Sequence, residues 1–415
     1  MKKELRFCIF LIIFGLKNLK RNPRRSVLTI LAISLGLASL VFTDGLNEGL
    51  KRLMIFSATH TLSGHIQIHL KNFKNNPKPE KHFPFLTFQK LRNFNSIKTY
   101  VKALAPRIIF KGLISSAESS QGILVYGIFP QYEKEVSKID DVIWKGNYLK
   151  NPQKNTILIG RRLAKKLKKE VGERVILTSG DVKGNLIQEV FVVKGIFETG
   201  LRQIDEYVVF IPFKIAQKFL NMGNNIHEIA ILLKNPADDQ KLKKELLKKL
   251  GAKYEILTWE EIFPSLASTI RMFDFSIILM SLLLFALVAL LVGNTLIMSF
   301  QERYFEFGVL LALGTEPFHM WILILSEVAG LCLLSILAGL GIGELLNFYF
   351  SLKGIPYTEF QLGGVFISEP IKCVITLRQF WFYPLLLFIF SMLIGCYYAR
   401  KASLLNPAEV ITKTL

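Results

Sequence analysis

The segment Ser276–Leu291 reads SIILMSLLLFALVALL and contains no charged residue. Apolar residues continue to Met298, and a second apolar run covers Trp321–Phe350. A helix needs about 20 apolar residues to cross a hydrocarbon core of roughly 30 Å. The two runs therefore predict a transmembrane hairpin, with helices at 273–298 and 320–350.

The connector between these two helices, 299–315, is short and polar at its start. Glu302, Arg303 and Glu306 stand at positions i, i+1 and i+4, so a helix would present both glutamates on one face. This spacing predicts a short amphipathic helix at the membrane surface, where a partner outside the membrane can hold it. We expect movement of this connector to move the rest of the protein.

Two further apolar segments complete the membrane part. Val27–Phe42 is the first and Phe380–Tyr398 the fourth, and the first is expected to continue as a stalk helix to about Ala58. The basic cluster Lys17–Arg25 precedes the first span and favours the cytoplasmic side. The sequence therefore predicts four transmembrane helices in total, with both termini in the cytoplasm. Residues 1–26 are predicted as a cytoplasmic or interfacial helix, and 351–378 as an extracytoplasmic loop.

The hydrophilic block 58–264 lies between the first and second membrane helices. Short β-branched runs bounded by turn residues predict strands, and leucines at helical spacing predict helices among them. About 200 residues of this kind suit an elaborated α+β domain. The fold class is thus a four-helix membrane protein with a large extracytoplasmic α+β domain, and a β-rich subdomain is predicted as an insertion at about 130–225.

The charge balance is strongly basic. The chain has 52 lysines and arginines against 32 aspartates and glutamates, a net charge of +20. In a chain with membrane spans, a basic soluble face or attraction to anionic lipid explains this excess more simply than nucleic acid does. Membrane lipids are therefore expected as partners, and nucleic acid is not.

The sequence offers little for catalysis. His60, His65 and His69 are the clustered histidines, but no thiol or carboxylate accompanies them at metal-ligand spacing, and their role stays open. Asp140-Asp141 suits a turn better than an acid/base pair. Nucleophile-elbow, zinc-protease and phosphate-loop motifs are absent. We expect no catalytic residue, no metal and no cofactor bound by this chain.

Two kinds of residue within the apolar spans need an explanation. Glu327 and Glu344 are ionisable groups at or near membrane depth, where such a group usually faces water or a partner. Glu327 is expected to pair with Arg303 or an accessory helix, whereas Glu344 also suits an interfacial position. Small residues permit close helix packing or merely reflect membrane composition. The packing candidates are Gly36, Gly45, Gly339 and Gly343.

Two sets of residues in the chain carry a family resemblance. At the C-terminal end the chain resembles the permease signature of FtsX/MacB-type ABC transporters, and elsewhere it is similar to their lipoprotein-releasing, LolC/LolE-like branch. The first set is Asn294, Leu296, Gln301-Glu302-Arg303, Glu306, Gly308, Leu311-Ala312-Leu313-Gly314, Ala399-Arg400-Lys401-Ala402 and Asn406-Pro407-Ala408-Glu409. The second set is Asn22-Pro23-Arg24-Arg25-Ser26, Asp44-Gly45, Ser63-Gly64-His65, Ala105-Pro106-Arg107 and Gly122–Ile128. Macrolide exporters of this superfamily carry a fused ATPase domain, and here we expect the ATPase to be a separate chain.

The resemblance implies a function and a set of partners. Such permeases pair with a second permease copy or paralogue and with a dimer of a separate ABC ATPase, which holds the ATP and magnesium. ATPase coupling would fall on the connector residues Glu302, Arg303, Glu306, Gly308 and Gly314. The chain would be a non-catalytic, multi-pass subunit of the bacterial inner membrane with a large periplasmic domain.

The substrate is implied less directly. In the LolC/LolE-like branch, a lipoprotein leaves the outer leaflet of the inner membrane and passes to a periplasmic carrier. Carrier contact would fall on Pro106, Arg107 and Phe110. Two alternatives stay open: a peptide or drug efflux permease of a tripartite pump, and an FtsX-like relay that activates a cell-wall hydrolase.

Overall fold

The computed structural model describes most of the chain. The described residues are 13–15, 17–18, 21–149, 154–356, 360–362, 365–367 and 370–405. Most of the predicted N-terminal interfacial helix lies outside these ranges, as does the C-terminal motif at 406–409. The chain forms two compact units, a membrane unit built on long helices and an extracytoplasmic domain built on 53–269.

The helices are given in chain order. They are α1 (Pro23–Ala58), α2 (Leu86–Asn93), α3 (Asn95–Lys98), α4 (Pro130–Val136), α5 (Arg161–Leu167), α6 (Arg202–Tyr207), α7 (Phe213–Phe219), α8 (Asp239–Leu250), α9 (Trp259–Ile262), α10 (Pro264–Glu302), α11 (Tyr304–Ala312), α12 (Pro317–Lys353) and α13 (Leu377–Ser403). A π-helical turn covers Thr59–Ser63 and a 3-10 turn covers Pro236–Asp238.

The strands follow the same order. They are β1 (Ile66–Leu70), β2 (Phe83–Pro84), β3 (Val101–Ser115), β4 (Ser120–Ile128), β5 (Ile143–Gly146), β6 (Thr156–Gly160), β7 (Arg174–Gly180), β8 (Leu186–Phe197), β9 (Val208–Pro212), β10 (Asn225–Ile226), β11 (Glu228–Leu233), β12 (Tyr254–Thr258), β13 (Phe360–Leu362) and β14 (Val365–Ile367).

Four of the described helices are long and apolar enough to cross a membrane: α1 with the π-turn, α10, α12 and α13. The predicted four-helix architecture, with a large α+β domain between the first and second, is therefore confirmed. The membrane unit has its own apolar core, in which Leu37 and Val41 of α1, Val288 of α10 and Leu323 of α12 are buried. Helix α1 runs without interruption to Ala58, as predicted for the stalk.

The connector differs from its prediction. It was expected as one helix over 299–315, but α10 runs on to Glu302 and the helix breaks at Arg303, which has φ −112° and ψ 12°. Helix α11 begins only at Tyr304. Glu302 and Glu306 therefore belong to two helices. The break turns the chain while Arg303 itself stays in the interior.

A ten-stranded sheet organises the extracytoplasmic domain. Its order is β12-β1-β11-β3-β4-β9-β6-β8-β5, and β7 pairs with both β3 and β8. The pairs β4–β9 and β6–β8 are parallel and the others are antiparallel. The long β3–β4 hairpin lies at the centre, with Arg107 opposite Ile128 at one end and Ser115 opposite Ser120 at the other.

The pairing closes part of the sheet into a ring. Strands β3, β4, β9, β6, β8 and β7 each pair with the next, and β7 returns to β3 through Leu113–Thr178. Inward-facing residues such as Val125, Leu177 and Phe191 fill this ring as a core. The predicted β-rich insertion at about 130–225 contributes four of these strands. It does not form a sheet of its own, because β3 and β4 complete the ring.

Candidate functional site

An ion-pair network holds the connector to the neighbouring helices. Arg303 lies at its centre and is only 3% exposed. Its Nη1 donates to Oε2 of Glu327 at 3.3 Å, and its Nε donates to Oε2 of Glu306 at 3.1 Å. The hydroxyl of Ser299 donates to Oε1 of Glu327 at 3.1 Å. The predicted pairing of Glu327 with Arg303 is thus present, and it joins the end of α10, the start of α11 and the interior of α12.

The two connector glutamates are paired with the start of α1. Arg25 Nη1 donates to Oε1 of Glu302 at 3.1 Å, and Asn22 Nδ2 donates to Oε2 of the same carboxylate at 2.6 Å. Arg21 binds Glu306 through both terminal nitrogens, at 3.0 and 2.7 Å. A forked guanidinium–carboxylate contact of this kind fixes orientation as well as distance. The connector is therefore bound on one side by α12 and on the other by the segment leading into α1.

The outer pair of this network is open to solvent, whereas the inner pair is not. Arg21 and Glu306 are 53% and 41% exposed, against 4% and 8% for Arg303 and Glu327. The hydrogen bond from Arg21 holds the pKa of Glu306 below its ordinary value and that of Arg21 above its own. Exposed charge pairs are screened by salt and buried ones much less. Arg21–Glu306 can therefore exchange partners while Arg303–Glu327 persists.

The sequence did not reveal this partnership. Arg21, Asn22 and Arg25 were interpreted only as part of the topology signal and, for Asn22 and Arg25, of the family resemblance. The charge complementarity with Glu302 and Glu306 is visible in the printed sequence, but some 280 residues separate the partners. A further link missed by the sequence is the hydrogen bond between the hydroxyls of Thr29 and Thr295, 3.0 Å apart between α1 and α10.

The two glycines predicted for coupling have different environments. Gly308 is buried in α11. Gly314 follows α11 with φ +89°, a conformation that favours glycine, and its amide donates to the carbonyl of Leu311 at 3.1 Å. Gly314 thus ends α11 and allows the turn towards α12.

The predicted packing glycines lie at helix contacts within the membrane unit. A Cβ at Gly339 would be 2.8 Å from the Ser34 carbonyl oxygen, and one at Gly343 would be 3.0 Å from the Val41 side chain. One turn further along α12, Asn347 Nδ2 donates to the Val41 carbonyl at 3.2 Å. This face of α12 therefore lies directly against α1. Gly36 faces the side chain of Leu284, and Gly45 faces Asn347.

A second polar cluster lies at the other end of the membrane helices. The hydroxyl of Tyr383 donates to Oδ1 of Asp44 at 2.7 Å, and Gln379 Nε2 donates to Oδ2 at 3.0 Å. These bonds join α1 to α13. Glu344, the second glutamate singled out in the sequence, is half-buried in α12.

The expected carrier contact does not fit the structure. Pro106, Arg107 and Phe110 are all buried inside the extracytoplasmic domain, and Arg107 is 0% exposed. Its guanidinium donates to Glu133 at 2.6 and 3.0 Å and to Glu228 at 2.8 Å. A second protein cannot touch these side chains in this conformation, so the prediction of direct contact is wrong. A buried arginine needs compensating carboxylates, and the sequence alone did not show where they lie.

The histidines form structural contacts within the domain. His69 Nε2 lies 2.8 Å from Oε2 of Glu228, and His65 Nδ1 accepts from the amide of Leu233 at 3.2 Å. His60 stacks on Phe56 with ring centroids 4.0 Å apart. Within the described ranges, no group of three or more His, Cys, Asp or Glu is placed to hold a metal ion. Asp140 lies in a turn and pairs with Lys134 at 3.3 Å.

Comparison with known proteins identifies the family. The sequence-family model for the MacB-like periplasmic core domain matches residues 26–249. The family model for the FtsX-like permease C-terminal domain matches residues 278–407. Together they cover both units and the connector. The chain is an ABC transporter permease of the FtsX/MacB superfamily.

Relatives of this permease align over nearly its full length. An uncharacterised ABC transporter permease of Methanocaldococcus jannaschii is 23% identical over 97% of both chains. The lipoprotein-releasing system transmembrane protein LolC of Neisseria meningitidis is 20% identical over 95% of this chain and 96% of the relative. Among solved structures, the periplasmic region of MacB from Actinobacillus actinomycetemcomitans covers 50% of this chain and 93% of its own, with 15% identity and a TM-score of 0.36.

Membership in this family indicates the general role of the chain. ABC permeases are generally non-catalytic membrane components that work with an ABC ATPase and a second permease. Glu302, Arg303, Glu306 and Glu327 of the connector network lie in the FtsX-like part of this permease, and the Arg107 cluster lies in its MacB-like core.

Proposed function

We propose that this permease uses ATP hydrolysed by a separate ABC ATPase dimer to release lipoproteins from the outer leaflet of the inner membrane. The observation that carries the proposal is the similarity to LolC, a lipoprotein-releasing system transmembrane protein, over 95% of the chain. The similarity to a LolE of Haemophilus influenzae, 22% identical over 75% of the chain, supports the same substrate class. A periplasmic carrier would accept the lipoprotein.

The connector network supports a mechanical role for this permease. Displacement of α11 pulls on α1 through Arg21–Glu306 and on α12 through the buried Arg303–Glu327 pair. Helix α1 is continuous from Pro23 to Ala58, so motion at its first turn is transmitted along 36 residues. A rigid helix carries displacement further than a loop does. Transport would then proceed by mechanical transmission to the extracytoplasmic domain.

The remaining parts of the proposal follow from the same assignment. The permease pairs with a second copy or a paralogue and lies in the inner membrane with its strand-rich domain in the periplasm. This chain binds no cofactor, and ATP and Mg²⁺ bind to the ATPase. The ATPase contacts the connector around Glu302 and Glu306, where Arg21 and Arg25 are the present partners.

Charge reversal at the connector tests this proposal. The permease, its ATPase and an acylated lipoprotein are reconstituted in proteoliposomes, and ATP hydrolysis and lipoprotein release to a soluble carrier are measured together. Glu302→Arg and Glu306→Arg are expected to reduce release at least ten-fold while hydrolysis continues. Glu170→Arg serves as control, because Glu170 is 73% exposed in the extracytoplasmic domain.

The double variant Arg25→Glu with Glu302→Arg separates two roles of the connector. Restored release would assign Glu302 to the contact with α1, whereas persistent loss would assign it to the ATPase. Release at the normal rate by both single variants would remove the connector from the mechanism. ATP-driven transport of a peptide or drug without lipoprotein release would favour the efflux alternative.

A further inference from the structure

A cavity of about 320 Å³ lies in the extracytoplasmic domain, away from the connector network. Pockets for small ligands begin at roughly 300 Å³, so this cavity suits a small molecule and not a peptide. Much of its wall is apolar and includes Phe73, Ile109, Leu124 and Ile204.

One wall of the cavity carries a buried polar pair. His69 on β1 and Glu228 on β11 both line it, and they lie opposite each other across the strand pair. They are 2% and 3% exposed, with Nε2 of His69 2.8 Å from Oε2 of Glu228. Because Nε2 of His69 is bonded to Glu228, the imidazole has only Nδ1 left for a further hydrogen bond.

That nitrogen, Nδ1 of His69, is buried and makes no hydrogen bond to any described residue. Buried polar atoms in folded proteins are nearly always paired, so an unpaired one on a side chain that lines a cavity suggests a partner in that cavity. Histidine Nδ1 accepts a hydrogen bond when Nε2 carries the proton. A donor group on the ligand would then complete the pair.

The charged residues next to the His69–Glu228 pair also favour a ligand with a hydrogen-bond donor. Arg107 supplies one positive charge and binds two carboxylates, Glu133 and Glu228, all of them buried. The carboxylates exceed the arginine by one negative charge. A neutral donor or a cation is therefore better accommodated beside Glu228 than an anion is.

Part of the cavity wall comes from the two segments of the extracytoplasmic domain that are nearest in sequence to the membrane helices α1 and α10. Thr61 and Ser63 of its wall belong to the π-helical turn that follows α1, and Ile262 and Phe263 directly precede α10. π-helical turns are rare and are frequent at functional sites. A ligand here would contact both segments at once.

We propose that this cavity is a binding site for a small apolar molecule with a terminal amine or hydroxyl group. The hydrocarbon part packs against the apolar wall, and the terminal group donates a hydrogen bond to His69 Nδ1 near Glu228. This site is separate from the connector and does not depend on the lipoprotein assignment.

Three probes of equal chain length test the proposal: hexylamine, 1-hexanol and hexanoate. Each is titrated into the full chain in lipid nanodiscs at pH 7.5, and binding is followed by saturation-transfer NMR, with empty nanodiscs for subtraction. Hexylamine and hexanol are expected to bind at least ten-fold more tightly than hexanoate. Equal binding of all three, or tighter binding of hexanoate, would overturn the proposed chemistry.

Three variants locate the binding. Leu124→Trp fills the cavity and is expected to abolish binding of every probe, whereas Leu113→Trp on the exposed part of β3 leaves binding unchanged. His69→Gln retains a donor for Glu228 but removes Nδ1, and a roughly ten-fold loss of hexylamine affinity is expected. Undiminished binding to folded Leu124→Trp, judged by resistance to trypsin, would show that the probes bind elsewhere.

Discussion

Arg303 and Glu327 form an ion pair inside the membrane unit, with Nη1 3.3 Å from Oε2 and both side chains less than a tenth exposed. The pair joins the break between α10 and α11 to the interior of α12. Removal of Arg303 leaves the buried carboxylate of Glu327 without its guanidinium partner, and the loss of one member of a buried pair typically costs about 3–5 kcal/mol. The buried Arg303–Glu327 pair therefore holds the connector against α12, whereas the Arg21–Glu306 pair is exposed to solvent.

The first prediction concerns this pair. Arg303→Ala is expected to lower the free energy of unfolding by about 3–5 kcal/mol, because the buried carboxylate of Glu327 loses its guanidinium partner. The double variant Arg303→Ala with Glu327→Ala is expected to lose less than the sum of the two single variants. Unfolding in mixed detergent micelles titrated with dodecyl sulfate measures each value. Strict additivity would show that the two residues do not interact.

A second prediction concerns the packing of α12 on α1. Gly343→Leu forces a side chain into the space held by Val41 and the Ala38 carbonyl, each about 3 Å from the added Cβ. Overpacking of this kind costs about 1–3 kcal/mol. Gly341→Leu is the matched control, since no atom lies within 4 Å of its added Cβ. Equal melting temperatures of the two variants in detergent would contradict the close approach of the helices.

A third prediction concerns pH. His65 and His227 are buried, and burial lowers the pKa of each to about 4 from an ordinary value of 6.5. The unfolded chain then binds more protons than the folded domain between these values. Stability is therefore complete above about pH 6.5 and falls as the pH drops towards 4, by at most about 1.4 kcal/mol per pH unit for each histidine.

Pulse proteolysis of the extracytoplasmic domain in the full chain, at pH 7 and pH 5, measures this dependence. His227→Gln removes one titrating group and is expected to flatten the slope, although it loses the bonds to Ile109 and Pro79. His319→Gln, in the membrane unit, is the control. An unchanged slope in His227→Gln would show that this histidine does not titrate below its ordinary range.

A fourth prediction concerns topology. Lys241 lies on α8 with 71% of its side chain exposed, so Lys241→Cys offers an accessible thiol in the large domain. An impermeant maleimide is expected to label it in intact cells. Lys401→Cys, exposed near the end of α13, is expected to react only after lysis. Labelling of Lys241→Cys only after lysis would place the large domain in the cytoplasm and overturn the proposed orientation.

The sequence alone determined the four membrane helices and the α+β class of the domain between them. These properties depend on apolar length and local periodicity, which a linear sequence displays directly. The same local information predicted the stalk helix to Ala58, and it gave Arg303 as one of two possible partners of Glu327. Proline is rare inside a central strand, yet Pro106 lies within β3 and pairs with Ile229, and local sequence pattern does not predict this.

The tertiary structure alone decided which distant residues meet. It joined Arg21 and Arg25 to the connector glutamates, closed β3, β4 and β7 into the ring, and placed Arg107 between two carboxylates in the interior. Each of these contacts brings together residues far apart in sequence, and many charge pairings would satisfy the same composition. Only the fold selects among them, because burial and distance determine which opposite charges can compensate each other.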